Sequence, residues 1–246
     1  MKLRVIGSSS KGNSYLLEAN NEILILECGV PFKEIRQALG FYFSKVCGCI
    51  VSHEHNDHSK AAKEIANAGI DVYCSSGTAD AIKITGHRLN RISALKQFNV
   101  GSFTILPFKT EHDCADPLGF LIVHQGTGEK LVFATDTFYV RHLFNKPNYI
   151  MVECNYCLDI LNANIEAGIV NEALKNRLIQ SHFSLDNVKE FLKANVTSDT
   201  RKVILMHLSD DNSDAARMKR EIEELTGIDT VVADAGMEIE MELFPF

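Results

Sequence analysis

The sequence predicts an α/β fold in which two β-sheets pack face to face with helices on their outer faces. Three observations predict it. Strand-like apolar segments fall into two blocks, and each block is supplied with helical patterns. No Pro/Gly/Ser-rich linker, charge block or low-complexity tract divides the chain, so residues 1–246 are expected to form a single domain. The length, with 46% hydrophobic and 23% charged residues, is enough for one large core or two modest ones.

The elements follow in order. "LRVIGS", "SYLLEA" and "EILILECG" alternate or run apolar as strands do, and Asn20-Asn21 makes the turn between the last two. "PFKEIRQALG" opens with a helix-start proline and closes in glycine. "KVCGCIVS" is an apolar strand, followed by the short amphipathic helix "SKAAKEIANAG" that Gly69 ends. "DVYCSS" and "TADAIKI" repeat the strand-helix step. The segments "ISALKQFN", "FTILPFKTEH", "LGFLIVHQ", "KLVFATDT" and "YIMVECN" read as strands, with a hairpin turn at Gly126-Thr127-Gly128-Glu129. Helical periodicity runs from about Leu161 to Leu178 and from Leu185 to Ala194. "KVILMHLS", a helix from about Ala215 to Leu225, and edge strands "TVVADA" and "MEIEMEL" complete the chain.

Composition excludes several classes of protein. No apolar run approaches the ~18 residues of a membrane span. The N-terminal apolar stretch is too short for a secretory leader. Seven cysteines, an odd number without small-domain disulfide spacing, read as reduced thiols, so a cytoplasmic protein is expected. The formal net charge of -7 offers no global attraction to polyanions, and a nucleic-acid partner would need a local patch or a metal.

The chemistry concentrates in "CIVSHEHNDHSKAAKEIANAG", where His53, His55, Asp57 and His58 fall within six residues after an apolar strand. In an extended segment, side chains two apart share a side, so His53 and His55 can hold one ion together. Asp57 and His58 fall where the chain turns into the next helix and can face a second ion. The plainer explanation makes Asp57 a helix N-cap and the histidines exposed loop residues, but four metal-capable side chains in six residues straight after an apolar strand weigh against it. Imidazole with carboxylate suits zinc first, with manganese or iron as alternatives, rather than calcium or magnesium. Three more candidates each end an apolar strand: His112 after "FTILPFKTE", Asp136 after "KLVFAT" and His207 after "KVILM". His87, His124 and His142 lack that context and read as surface or structural residues.

Taken together, His53-x-His55-x-Asp57-His58 followed by His112, Asp136 and His207 resembles the metallo-β-lactamase superfamily over essentially the whole chain. The resemblance implies a four-layer αββα sandwich carrying two divalent metal ions. It implies that His53, His55 and His112 hold one ion, that Asp57, His58 and His207 hold the other, and that Asp136 bridges them. Glu27 stands where the family often has an aspartate, in the turn Glu27-Cys28-Gly29, and is expected to accept a hydrogen bond from a ligand imidazole. "GSSSKGNSYLLE", "HDCADPLGF", "VECN", "SHFSLDNVKEFL" and "HLSDDNSD" are similar to the YycJ (WalJ) branch, which is associated with DNA exonuclease activity. Ser181 and Phe183 depart from that branch, which has glycine and leucine there.

A bimetallic site suits phosphodiester hydrolysis by a metal-activated water. The expected function is a phosphodiesterase or nuclease, exonuclease-like, on nucleic acid (DNA before RNA) or a small phosphodiester. A thioesterase or lactonase of the glyoxalase II kind is the alternative, and a metal-binding module without catalysis is a third reading. Asp57 and His182 are the expected catalytic residues, His182 because it precedes a helix start where an anion is favoured. Ser9, Ser10, Asn13, Asn155, Ser184 and Ser209 are the candidate substrate-binding residues, with turn-forming and helix-capping roles as their plainer explanations. Cys154 and Cys157 have CxxC spacing but no partner pair for a structural zinc.

Overall fold

A computed structural model describes residues 1–241. The chain divides into two compact units. One comprises Met1–Lys109, Cys114–Glu129 and the described residues from Asp234; the other comprises Thr110–Asp113 and Lys130–Ala233.

The first unit is built on strands β1 (Lys2–Ser9), β2 (Gly12–Ala19), β3 (Glu22–Leu26), β4 (Val46–Ile50), β5 (Val72–Ser75) and β6 (Leu89–Ile92). With the C-terminal strand Glu238–Glu240 beside β1, they form a seven-stranded sheet in the order of their sequence. From Glu238–Glu240 through β3 the pairing is antiparallel, and Asn20-Asn21 closes the β2–β3 hairpin as expected, with Asn20 at φ 54°. From β3 to β6 the pairing is parallel, with helices α1 (Phe32–Leu39), α2 (Asn56–Ser59), α3 (Ala62–Asn67) and α4 (Ser76–Ala81) in the crossovers. Leu16, Ile25, Ile35, Leu39, Cys49, Ile65 and Val72 pack in one buried cluster between sheet and helices. An antiparallel meander, β7 (Phe98–Val100), β8 (Phe103–Lys109) and β9 (Leu118–His124), also belongs to this unit.

The second unit carries four parallel strands, β10 (Lys130–Ala134), β11 (Tyr149–Glu153), β12 (Lys202–Met206) and β13 (Asp229–Val232). β11 is buried along its whole length, as a parallel strand covered on both faces must be. Helices α5 (Leu158–Glu166), α6 (Glu172–Ser181) and α7 (Leu185–Asn195) precede β12, and α8 (Ala215–Thr226) follows it. Mixed sheets flanked by helices are the expected α/β, αββα architecture.

Three expected elements differ. The helix expected over 161–178 is two helices: Gly168 takes φ 71° after α5, and the Asn171 side chain caps α6 by accepting from Leu174 N–H. The strand expected over 92–99 breaks into β6 and β7 at Leu95, whose φ is 62° and whose N–H bonds Pro107 O at 2.8 Å. The helix expected over 59–69 starts earlier, at Asn56, and is interrupted before Ala62. The last expected strand, 237–243, runs partly outside the described residues.

Candidate metal centre

Parallel strands present their carboxyl ends to ligands, because the following loops diverge there. Glu27 follows β3 and His53 lies three residues beyond β4; Asp136 follows β10 closely, Glu153 ends β11 and His207 follows β12. Three of these, Glu27, Asp136 and His207, hold positive φ values of 61°, 30° and 55°, a conformation that costs non-glycine residues free energy and concentrates at functional sites.

In the first unit, His53, His55 and His58 converge. The His53 ring centroid lies 4.7 Å from that of His55 and 4.2 Å from that of His58. His53 and His58 are buried, while His55 and Asp57 are half-buried. The Asp57 carboxylate is 3.4 Å from His58 Nε2, and Asn13 Nδ2 approaches the same nitrogen at 3.2 Å. Ser52 Oγ bonds His53 Nδ1 at 2.9 Å, which directs the other ring nitrogen outward from the Ser52 side.

Glu27 lies behind this cluster, fully buried. One oxygen accepts the Ser52 N–H at 3.0 Å; the other is 3.4 Å from His58 Nδ1, within ion-pair reach but outside hydrogen-bond geometry. Burial pushes the Glu27 carboxyl above its ordinary range, against the pull of His58 and Ser52. The turn can come this close because of Gly29. A Cβ there would lie 1.7 Å from Asp57 O, and Cys28 N–H bonds His58 O at 2.8 Å one residue away.

In the second unit, the donor atoms of Asp136, Glu153, His182 and His207 all lie within 4.8 Å of one another. Asp136 Oδ1 is 2.8 Å from His207 Nδ1 and accepts the Thr135 hydroxyl at 2.8 Å. Its other oxygen is 3.6 Å from His112 Nε2 and 3.8 Å from His182 Nδ1. His112 Nδ1 bonds Ser181 O at 2.8 Å, a carbonyl that only an N–H can serve, so Nε2 carries the lone pair on the Asp136 side. Burial lowers the His112 pKa in spite of Asp136, keeping the ring neutral as a metal ligand must be.

Glu153 was not among the candidates from sequence, although it ends an apolar strand as the chosen residues do. Its Oε1 lies 2.5 Å from His182 Nδ1 and 3.2 Å from His207 Nδ1. Its Oε2 accepts the N–H groups of Thr137 and Phe183, each at 3.1 Å. Burial raises the Glu153 carboxyl, but the histidines outweigh it and hold the group below its ordinary range. For His182 burial acts downward, and Glu153 and Asp136 more than reverse it, so the imidazole keeps its proton above the usual histidine range.

The candidate substrate residues separate. Asn13 reaches His58, whereas Ser9 accepts Lys11 N–H at 3.2 Å and Ser10 is exposed in the β1–β2 turn. Ser184 caps α7 by accepting Asn187 N–H at 3.1 Å, and Ser209 accepts Asn212 N–H at 3.2 Å. Asn155 donates to His207 O at 2.9 Å and so fixes the turn that carries His207. His124 is buried against Thr127 and Asn20, a structural role. Cys154 and Cys157 are buried free thiols.

The cluster of Asp136, Glu153, His182 and His207 is chemistry able to bind a divalent metal. The family model "Beta-lactamase superfamily domain" matches residues 33–208, and the chain belongs to that superfamily. Among individual proteins it is similar to "Exodeoxyribonuclease WalJ" of Streptococcus pneumoniae, 24% identical over 261 residues, covering 99% of this chain and 93% of that protein. It is also similar to "Exodeoxyribonuclease YycJ" of Bacillus anthracis, 26% identical over 235 residues, covering 87% and 85%. Among solved structures, the metallo-β-lactamase fold protein YhfI from Bacillus subtilis superposes with a TM-score of 0.76 at 17% identity, covering 97% of this chain and 99% of that one. The fold implies divalent metal ions.

Proposed function

We propose that this protein is a dinuclear-metal phosphodiesterase that acts on nucleic acid, with DNA exonuclease activity the favoured form. The observation that carries the reading is the His182–Glu153 contact, Nδ1 to Oε1 at 2.5 Å, beside a cluster able to hold metal. Such an imidazole can give its proton to the departing 3′ or 5′ oxygen when a phosphodiester bond breaks. A neutral acyl substrate with a thiolate leaving group would gain little from it. The names of the relatives from Streptococcus pneumoniae and Bacillus anthracis support the same substrate class.

His53, His55 and His112 would hold one ion, Asp57, His58 and His207 the other, with Asp136 between them. The ions would supply Lewis acidity and lower the pKa of bound water. Asp57 would accept a proton from the attacking water. Asn13 and Glu27 orient the His58 ring, and Asn155 fixes His207 through its carbonyl. Glu153 orients His182 and maintains its charge. Zinc fits the imidazole-rich donor set best, with manganese or iron as alternatives. Among the described residues no helix is long and apolar enough to cross a membrane. None of the seven cysteines is paired in a disulfide among the described residues, which supports a reducing, cytoplasmic setting.

The test is a comparison of substrates with zinc or manganese supplied. The protein should cleave bis(p-nitrophenyl) phosphate and shorten an end-labelled DNA strand, and should act poorly on S-lactoylglutathione. Efficient thioester cleavage without phosphodiesterase activity would overturn the reading in favour of a glyoxalase II-like hydrolase.

A further inference from the structure

The loop after β10 arches over α7 in the second unit and is pinned at both ends. Asn187 Nδ2 donates to Phe138 O at 3.3 Å, and Asn195 Oδ1 accepts Phe144 N–H at 2.8 Å. Between the pins lies a cavity of about 480 Å³, lined chiefly by apolar side chains. Phe183 and Phe191 form a buried aromatic pair in its wall, their ring centroids 6.0 Å apart. Phe138 and Tyr139 stand at the opposite side, 37% and 54% exposed, large aromatic surface left open to water. Five polar residues join the lining: Arg141, His142, Asn187, Glu190 and Asn195, with Arg141 paired to Glu111 at 2.8 Å and Glu190 to Lys193 at 2.6 Å.

This cavity shares its frame with the catalytic pair. Phe183 directly follows His182, and the Glu153 carboxylate accepts N–H groups from both Thr137 and Phe183, one from each wall. Thr137 in turn donates its hydroxyl to Tyr139 O at 2.7 Å. The Glu153 carboxylate thus fixes both His182 and the backbone beside the cavity.

We propose that this cavity is a nucleobase-binding subsite, which seats one base of a single-stranded substrate while its neighbouring phosphodiester lies at His182. The proposal rests on the phosphodiesterase reading and gives it a substrate class, single-stranded nucleic acid. The volume falls in the range of small-molecule sites and accommodates one nucleoside. Aromatic walls suit the face of any base, since stacking is tolerant of sequence. The Asn187 amide and the Glu190 carboxylate can meet the donors and acceptors of a base edge, and Arg141 can approach a flanking phosphate. An aliphatic ligand would use the walls but not these polar groups.

The test is binding of fluorescently labelled, phosphorothioate-linked oligonucleotides of about ten residues by the metal-loaded protein, read as anisotropy. One oligonucleotide carries bases and its counterpart carries abasic sites throughout. The wild-type protein should prefer the first by about tenfold or more, on the scale of base–aromatic stacking. Tyr139→Ala, at an exposed position, should bring the ratio toward one with the melting temperature and metal content retained. Ala194→Trp, which fills the cavity from the exposed side of α7, should do the same. Equal wild-type affinity for both oligonucleotides, or variants that both keep the wild-type ratio, would overturn the proposal. A retained base preference with no phosphodiester cleavage would support the subsite and overturn the hydrolytic reading instead.

Discussion

The Glu153 carboxylate approaches Nδ1 of His182 to 2.5 Å, the carboxylate fully buried and the imidazole nearly so. The pair spans the end of β11 and the junction of α6 with α7, and its charges sustain each other: the carboxyl sits below its ordinary range and the imidazole above.

His182 is expected to act as the general acid. His182→Ala should lower turnover by about a hundredfold or more while metal content and melting temperature hold. An early-melting variant, with activity lost only in proportion to unfolded protein, would make the residue structural.

Glu153→Gln keeps the shape of the side chain and removes its charge. The His182 pKa then falls, and since an acid catalyst works only while protonated, the alkaline limb of the pH–rate profile should move to lower pH. A profile with an unmoved alkaline limb, measured on bis(p-nitrophenyl) phosphate, would separate Glu153 from the proton transfer.

The same pair sets a stability window in the metal-depleted protein. The raised His182 contributes stability fully present below the ordinary histidine pKa of ~6.5 and lost as pH climbs through its folded value. The lowered Glu153 contributes stability present above the ordinary glutamate pKa of ~4.3 and lost as pH falls through its folded value. Thermal melts across pH should therefore show the pair's contribution between those limits, and Glu153→Gln should flatten the profile. Identical profiles for wild type and variant would contradict the coupling.

Glu27 acts in the opposite sense. Its raised pKa means that its charge is buried at a cost at neutral pH. Glu27→Gln can keep the hydrogen bond from Ser52 N–H and should raise the melting temperature of the metal-depleted protein. Loss of the carboxylate behind His58 should at the same time weaken metal binding by about 10- to 100-fold. Calorimetry and metal titration on one preparation read both effects, and a variant with weaker metal binding but no gain in apo stability would refute the account of burial.

Gly29 tests the close approach of the Glu27 turn to the ligand helix. Gly29→Ala places a methyl 1.7 Å from Asp57 O, so the turn must separate from α2. A loss of about 4 kcal/mol or more is expected, with the metal-binding step impaired in whatever folds. Near-wild-type denaturant midpoints would show that the turn can give way.

Much of this was legible in the sequence because the chemistry is contiguous. His53, His55, Asp57 and His58 fall within six residues, and His112, Asp136 and His207 each follow an apolar run. Glu153 satisfies the same criterion at the end of "YIMVE", yet a carboxylate after a strand is common, and its partner His182 is 29 residues away. Ser184 and Ser209 read alike in sequence, as substrate contact or cap. The bond from Asn187 N–H makes Ser184 the N-cap of α7, whereas Ser209 accepts Asn212 N–H in a turn before α8, whose N-cap is Asp214. The helix expected over 161–178 followed apolar spacing through Ile169 and Leu174. Both are exposed, and the left-handed turn at Gly168 overrides the period. The cavity under the 138–144 loop joins segments far apart in sequence, and no local pattern announces it.

The central claim is that Asp136 joins the ligands into a bimetallic hydrolytic centre, and metal analysis of Asp136→Ala with a phosphodiesterase assay tests it most directly. Wild-type protein should carry about two ions per chain when fully loaded. The variant should stay folded, because Asp136 lies beyond β10 rather than within it, yet lose at least one ion and nearly all hydrolysis of bis(p-nitrophenyl) phosphate. A folded variant that keeps both ions and the full hydrolytic rate would contradict the claim.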